Sequence, residues 1–144
     1  MQGDDWAHAP PDPGGEAHGL NDHLRAVGEL AQHLAHDDAN DLARLAALWH
    51  DLGKRRPGFQ RYIRQASGAE AHIERVADPD KTHSAAGALW AERHLKERFG
   101  PRGTLAARWL QYVIAGHHAG LDNWEGGRGL AARLAGEGAQ RELR

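Results

Sequence analysis

Apolar residues recur at helical spacing along most of this chain, and no convincing stretch alternates with period two. Helices must therefore supply the core. The strongest run is Leu42, Leu45, Ala46, Leu48, Trp49 and Leu52, which halts at Gly53, a residue suited to ending a helix. It predicts the central, most buried helix, with Asn40 as its cap. Before it, Asn21 is a plausible cap for a helix carrying Leu24, Val27, Leu30, Ala31 and Leu34, closed by Asp37-Asp38. Pro57 suits the first turn of a short helix with Phe59, Tyr62 and Ile63. Residues 66–81 read as an exposed connection. Thr82 then caps a long helix through Leu89, Trp90, Leu95 and Phe99, closed by Gly100-Pro101. Thr104 caps the next, with Leu105, Trp109, Leu110, Val113 and Ile114, ending at Gly116-His117-His118. From Arg128 the chain is faintly helical, weakened by Gly136 and Gly138. Residues 1–20 read as an N-terminal loop segment, since Pro10, Pro11 and Pro13 bar a helix, and residues 21–144 as one all-α helical bundle.

Composition narrows the chemistry. Cysteine is absent, which removes disulfides, thiolate zinc sites, iron–sulfur clusters and a Cys nucleophile at once. No apolar run is long enough to span a bilayer, so no membrane association is expected, and the acidic, polar start fits neither a signal nor a transit peptide. A cytoplasmic location is the default expectation. The net charge of −2 gives no overall basic footprint, so any nucleic-acid contact must come from a local patch or from metal ions. Eleven histidines against two Phe and two Tyr exceed what core packing requires. That surplus points to nitrogen and oxygen metal chemistry if the positions cooperate.

They cooperate in sequence. His23 opens the first helix, His50-Asp51 closes the most apolar one, His83 opens the long helix, and His117-His118 close the fifth helical segment. All are at helix ends, where helices of a bundle can converge at one rim. A single histidine beside apolar residues is ordinarily a hydrogen-bonded boundary residue. Asp51 is harder to explain structurally. A buried carboxylate at the C-terminal end of a helix opposes the macrodipole, and a divalent cation reverses that problem. Adjacent imidazoles at 117 and 118 diverge along a helix and can share an ion only where it ends or bends, for which Gly116 and Gly120 give freedom. Such a mixed set suits Fe, Mn, Co, Ni or Zn rather than calcium. Paired ions roughly 3.5–4 Å apart are a recurring device for displacement at phosphorus.

The series His23-Leu24-Arg25-Ala26-Val27, His50-Asp51-Leu52-Gly53-Lys54 with Phe59-Gln60-x-Tyr62, His83-Ser84-x-x-Gly87, and Ile114-Ala115-Gly116-His117-His118-Ala119-Gly120 resembles the HD nuclease domain of the CRISPR type I nuclease-helicase. The likeness runs from about Trp6-Ala7-His8 to about residue 121. It implies an HD-domain bundle with two divalent transition metal ions (Mn, Fe, Co or Ni) at converging helix ends. His23, His50 and Asp51 would hold one; Asp51, His83, His117 and His118 would hold the other. Asp51 and Lys54 would be the catalytic pair, with Lys54 facing the scissile phosphate. The implied substrate is single-stranded DNA, delivered by a helicase domain and recruited to an RNA-guided surveillance complex in antiviral defence. The family's further aspartate on a later helix has no counterpart, and Asp122 sits in the wrong context to replace it. The chain therefore reads as truncated at its C-terminus.

Two other functions fit the residues: a phosphohydrolase acting on a nucleotide, and a non-catalytic metal-binding helical module. The remaining histidines, His33, His36, His72 and His94, read as surface residues, while His8 and His18 precede the first helix and can line the cleft. Arg55, Arg56, Arg61 and Arg64 read as a solvated face, or as a track for a phosphate backbone.

Overall fold

The structure, a computed structural model, describes residues 5–12, 14–65, 83–118 and 120–143. The expected connection over 66–81, the cap at Thr82 and His72 lie outside those residues. Strands β1 (Trp6–His8) and β2 (His18–Gly19) form an antiparallel ribbon. Six helices follow among the described residues: α1 (Leu20–Leu34), α2 (Asn40–Trp49), α3 (Pro57–Gln65), α4 (Ser84–Gly116), α5 (Leu130–Ala135) and α6 (Glu137–Glu142). A 3-10 turn, Leu52–Arg55, joins α2 to α3. Apart from the ribbon, the described residues make an all-α fold.

The most buried helix is α4, not α2 as the leucine pattern predicts. In α2 only Ala47 is buried, whereas α4 places Ala85, Ala88, Leu89, Ala91, Leu95, Ala107, Leu110 and Ile114 in the main core with Leu130 and Leu134. Small residues explain the exchange: the alanines of α4 let neighbouring helices approach closely, while Leu42 of α2 stays at the surface. The helix α1 lies along α2, and Gly28 admits the Leu48 side chain. Two smaller clusters are separate from it, one of Ala7, Leu20 and Leu24 and one of Phe59 and Ile63.

Gly100-Pro101 bends α4 rather than ending it. Gly100 adopts φ 59° and ψ −135°, a conformation available to glycine, and Pro101 opens the second half, where a missing amide hydrogen costs nothing. Thr104 is consequently not a cap; its hydroxyl bonds the Gly100 carbonyl at 3.3 Å within the new first turn. Asn21 is not a cap either, because α1 begins one residue earlier and the Asn21 side chain accepts from Arg55 at 2.6 Å. Asn40 is the first residue of α2, with Ala39 at the cap position. Residues 6–8 and 18–19, read as loop, pair across the proline segment, with His8 opposite His18. Strands this short carry no periodicity to detect.

Two close approaches bring the site-bearing ends together. A Cβ on Gly53 would collide with the His83 backbone, and one on Gly87 with the Trp49 carbonyl. Only glycine lets the end of α2 and the turn after it lie flush against the start of α4.

Candidate metal centre

Asp51, at 2% exposure, is the hub. Its Oδ2 lies 3.2 Å from His50 Nε2, 3.4 Å from His23 Nε2 and 2.8 Å from Lys54 Nζ. Its Oδ1 lies 3.3 Å from His83 Nε2 and 3.5 Å from His117 Nε2, yet it is buried without a hydrogen bond. His83 Nε2 is in turn 3.0 Å from His118 Nε2, and His23 Nε2 is 3.3 Å from His50 Nε2. All six side chains singled out from the sequence thus meet, in two groups that share Asp51: His23, His50, Asp51, and Asp51, His83, His117, His118.

The hydrogen bonds around the rings show what the cluster lacks. His50 Nδ1 is 2.6 Å from the Ala47 carbonyl, and His117 Nδ1 is 2.6 Å from the Ile114 carbonyl. Each ring closes its helix by donating Nδ1–H to the carbonyl three residues back, which satisfies an otherwise unpaired helix-end acceptor. A neutral ring so fixed has only a lone pair at Nε2, and both lone pairs face the Asp51 carboxylate. Acceptor meets acceptor. Either a second proton on each ring or a cation among them is required. Ligands about 2.0–2.2 Å from one ion stand roughly 3–3.4 Å apart, and the facing atoms are spaced 3.0–3.5 Å. A backbone carbonyl fixing the far nitrogen is also the usual outer support of a ligating histidine. The residues fit a divalent cation.

The protonation equilibria reflect the same competition. Burial pushes the Asp51 carboxyl upward, but His117, His23, His50 and His83 outweigh it and hold the group far below the usual carboxylate range. Burial pushes His50 downward; the hydrogen bond and charge of Asp51, with the Ala47 carbonyl, more than reverse this, against opposition from Lys54. His50 ends above its ordinary value.

Lys54 is buried, with Nζ on Asp51 Oδ2 and 3.1 Å from the Ala7 carbonyl. Two of its three donors are used inside the protein. Gln60 supports this arrangement. Its Oε1 accepts from Trp6 N at 2.8 Å, and its Nε2 donates to the carbonyls of Trp6 and Lys54 at 3.0 and 2.7 Å, tying the ribbon to the turn that carries Lys54. The Phe59-Gln60-x-Tyr62 motif was the sequence signal for it. Asp122 pairs with Arg133 at 2.9 Å and belongs to neither group. Arg55 bonds Asn21 and lies 3.8 Å from Asp5, and the Arg64 guanidinium stacks over Trp6 at 4.7 Å.

Helices converging at one rim on a His-Asp doublet ringed by further imidazoles define an HD-type, metal-dependent hydrolase domain. A family model described as Cas3, HD domain, matches residues 6–138, and the chain belongs to that family of CRISPR nuclease domains. No curated protein matches the sequence. No helix among the described residues is long and apolar enough to cross a membrane.

Proposed function

We propose that this domain cleaves single-stranded DNA with two divalent transition metal ions, working with a helicase and an RNA-guided surveillance complex in antiviral defence. The observation that carries the reading is the pair of imidazole Nε2 atoms of His50 and His117 aimed at a shared buried carboxylate, with His23, His83 and His118 completing two sets about it. His23, His50 and Asp51 hold one ion; Asp51, His83, His117 and His118 hold the other. Mn, Fe, Co and Ni suit these mixed donors. Bound there, such ions would supply the Lewis acidity that readies water for attack at phosphorus and the charge that offsets the transition state. The protein's own contribution is orientation. The Ala47 and Ile114 carbonyls keep Nδ1 protonated on His50 and His117, so that Nε2 stays the ligating atom. Lys54 steadies Asp51 Oδ2 and supplies fixed positive charge beside the phosphate. Sequence-independent cutting follows, because these groups meet phosphate rather than base edges.

The experiment is incubation with circular single-stranded DNA in Mn²⁺, Co²⁺ or Ni²⁺, with nucleoside triphosphates in parallel. Metal-dependent, chelator-sensitive degradation of the DNA is expected. Hydrolysis of the nucleotides without attack on DNA would instead favour a nucleotide phosphohydrolase.

A further inference from the structure

His23 belongs to a second constellation that points away from Asp51. The ribbon register sets His8 directly opposite His18, with their rings stacked at 5.7 Å between centroids. Both rings meet His23 on the first turn of α1 edge-on, at 4.9 and 5.3 Å. One nitrogen from each of the three lies within 4.8 Å of the others. The scaffold under them is fixed. Leu20 N donates to the Asp5 carbonyl at 2.7 Å, Gln60 clamps Trp6, and Ala7 and Leu20 are fully buried. His18 is exposed and His8 and His23 are half-buried, so an ion can reach the triad from solvent.

We infer that His8, His18 and His23 form an outer metal position of different chemistry from the buried centre. It offers three imidazole nitrogens and, among the described residues, no carboxylate, leaving a place for water as in open three-histidine sites. An all-imidazole set favours Zn²⁺ and Cu²⁺ over Mn²⁺, which prefers oxygen donors. The two positions are also linked. A neutral imidazole has one lone pair, and His23 Nε2 already faces His50 and Asp51. An ion in the outer triad therefore draws His23 from the inner set. The ribbon acts as a metal-selective brake, in which zinc or copper competes for a ligand that the buried centre needs.

Zinc titration with a chromophoric competitor tests this on three chains: wild type, Asp51→Asn, and Asp51→Asn combined with His8→Gln and His18→Gln. Asp51→Asn removes the shared carboxylate and leaves the triad intact, and any zinc still held by His83, His117 and His118 is common to both variants. The combined variant should bind about one equivalent of zinc fewer than Asp51→Asn alone. Equal zinc in those two overturns the outer site, whatever the DNA-cutting assay shows. Because a ribbon variant can lose structure, the wild-type chain supplies a second readout: the imidazole NMR signals of His8 and His18 should move on zinc addition. Signals unmoved at saturating zinc also overturn it.

Discussion

The Glu142 carboxylate accepts the amide hydrogen of Ala85 at 2.8 Å, across 57 residues of sequence, and that of Ala86 at 3.2 Å. His83 precedes these amides and gives α4 no side-chain cap of its own. The last helix thus caps the helix whose start carries a candidate ligand, and its negative charge suits that N-terminus. Replacing Glu142 with Ala should cost about 1–2 kcal/mol, as loss of a helix cap does. Glu142→Gln, which keeps an acceptor, should cost less. Urea unfolding of the three chains decides it, and an alanine variant as stable as wild type would show the cap to be unimportant.

Gly87 makes a second stability prediction. Its α-carbon faces the Trp49 carbonyl so closely that a methyl group has no room. Gly87→Ala must push α4 from the end of α2, separating His83 from Asp51. Overpacking of this kind costs about 1–3 kcal/mol, although alanine improves helix propensity. Metal affinity should fall with stability. A variant with unchanged melting and unchanged metal binding would mean that the contact is easily relieved.

The sequence carried much of this design, for identifiable reasons. Gly53 and Gly87 stood inside the His-Asp and His-Ser motifs, and the structure uses both for backbone contact. The six residues that cluster about Asp51 and include it were readable because each sits at a helix end, and helix ends show in local sequence. Glu142 was not readable, since a cap supplied from a distant helix leaves no local trace. Nor was the meeting of His8 with His18, which depends on ribbon register rather than spacing. The burial ranking failed at α2 because apolar periodicity marks a face; close approach of neighbouring helices depends on small residues such as Ala88 and Ala91.

Asp51 links both sets, so its removal is the severest single change at the centre. Asp51→Ala should lower metal content at both positions together, whereas His118→Ala should affect one. The alanine variant also strands Lys54, whose ammonium is buried beside it. Loss of one partner from a buried pair typically costs about 3–5 kcal/mol. Elemental analysis with thermal melting measures both effects. Equal metal in Asp51→Ala and wild type would rule out the shared carboxylate.

Acid should weaken metal binding, and the sign follows from His50. Its folded value lies above the ordinary 6.5, so in the metal-free chain its pairing with Asp51 stabilises the fold below that pH. The stabilisation is lost as pH rises through the raised value. Asp51 stays ionised far into acid, so its contribution changes little over the same interval. Metal needs the opposite state of His50, because a ligating imidazole must shed the proton on Nε2. Rising pH therefore weakens the metal-free fold and strengthens metal binding together. The melting-temperature gain on adding Mn²⁺ should grow from about pH 6 to about pH 8, continuing above the ordinary histidine range. Differential scanning calorimetry with and without Mn²⁺ checks this. A gain that is flat or shrinks with rising pH would show that His50 does not exchange its proton for the ion.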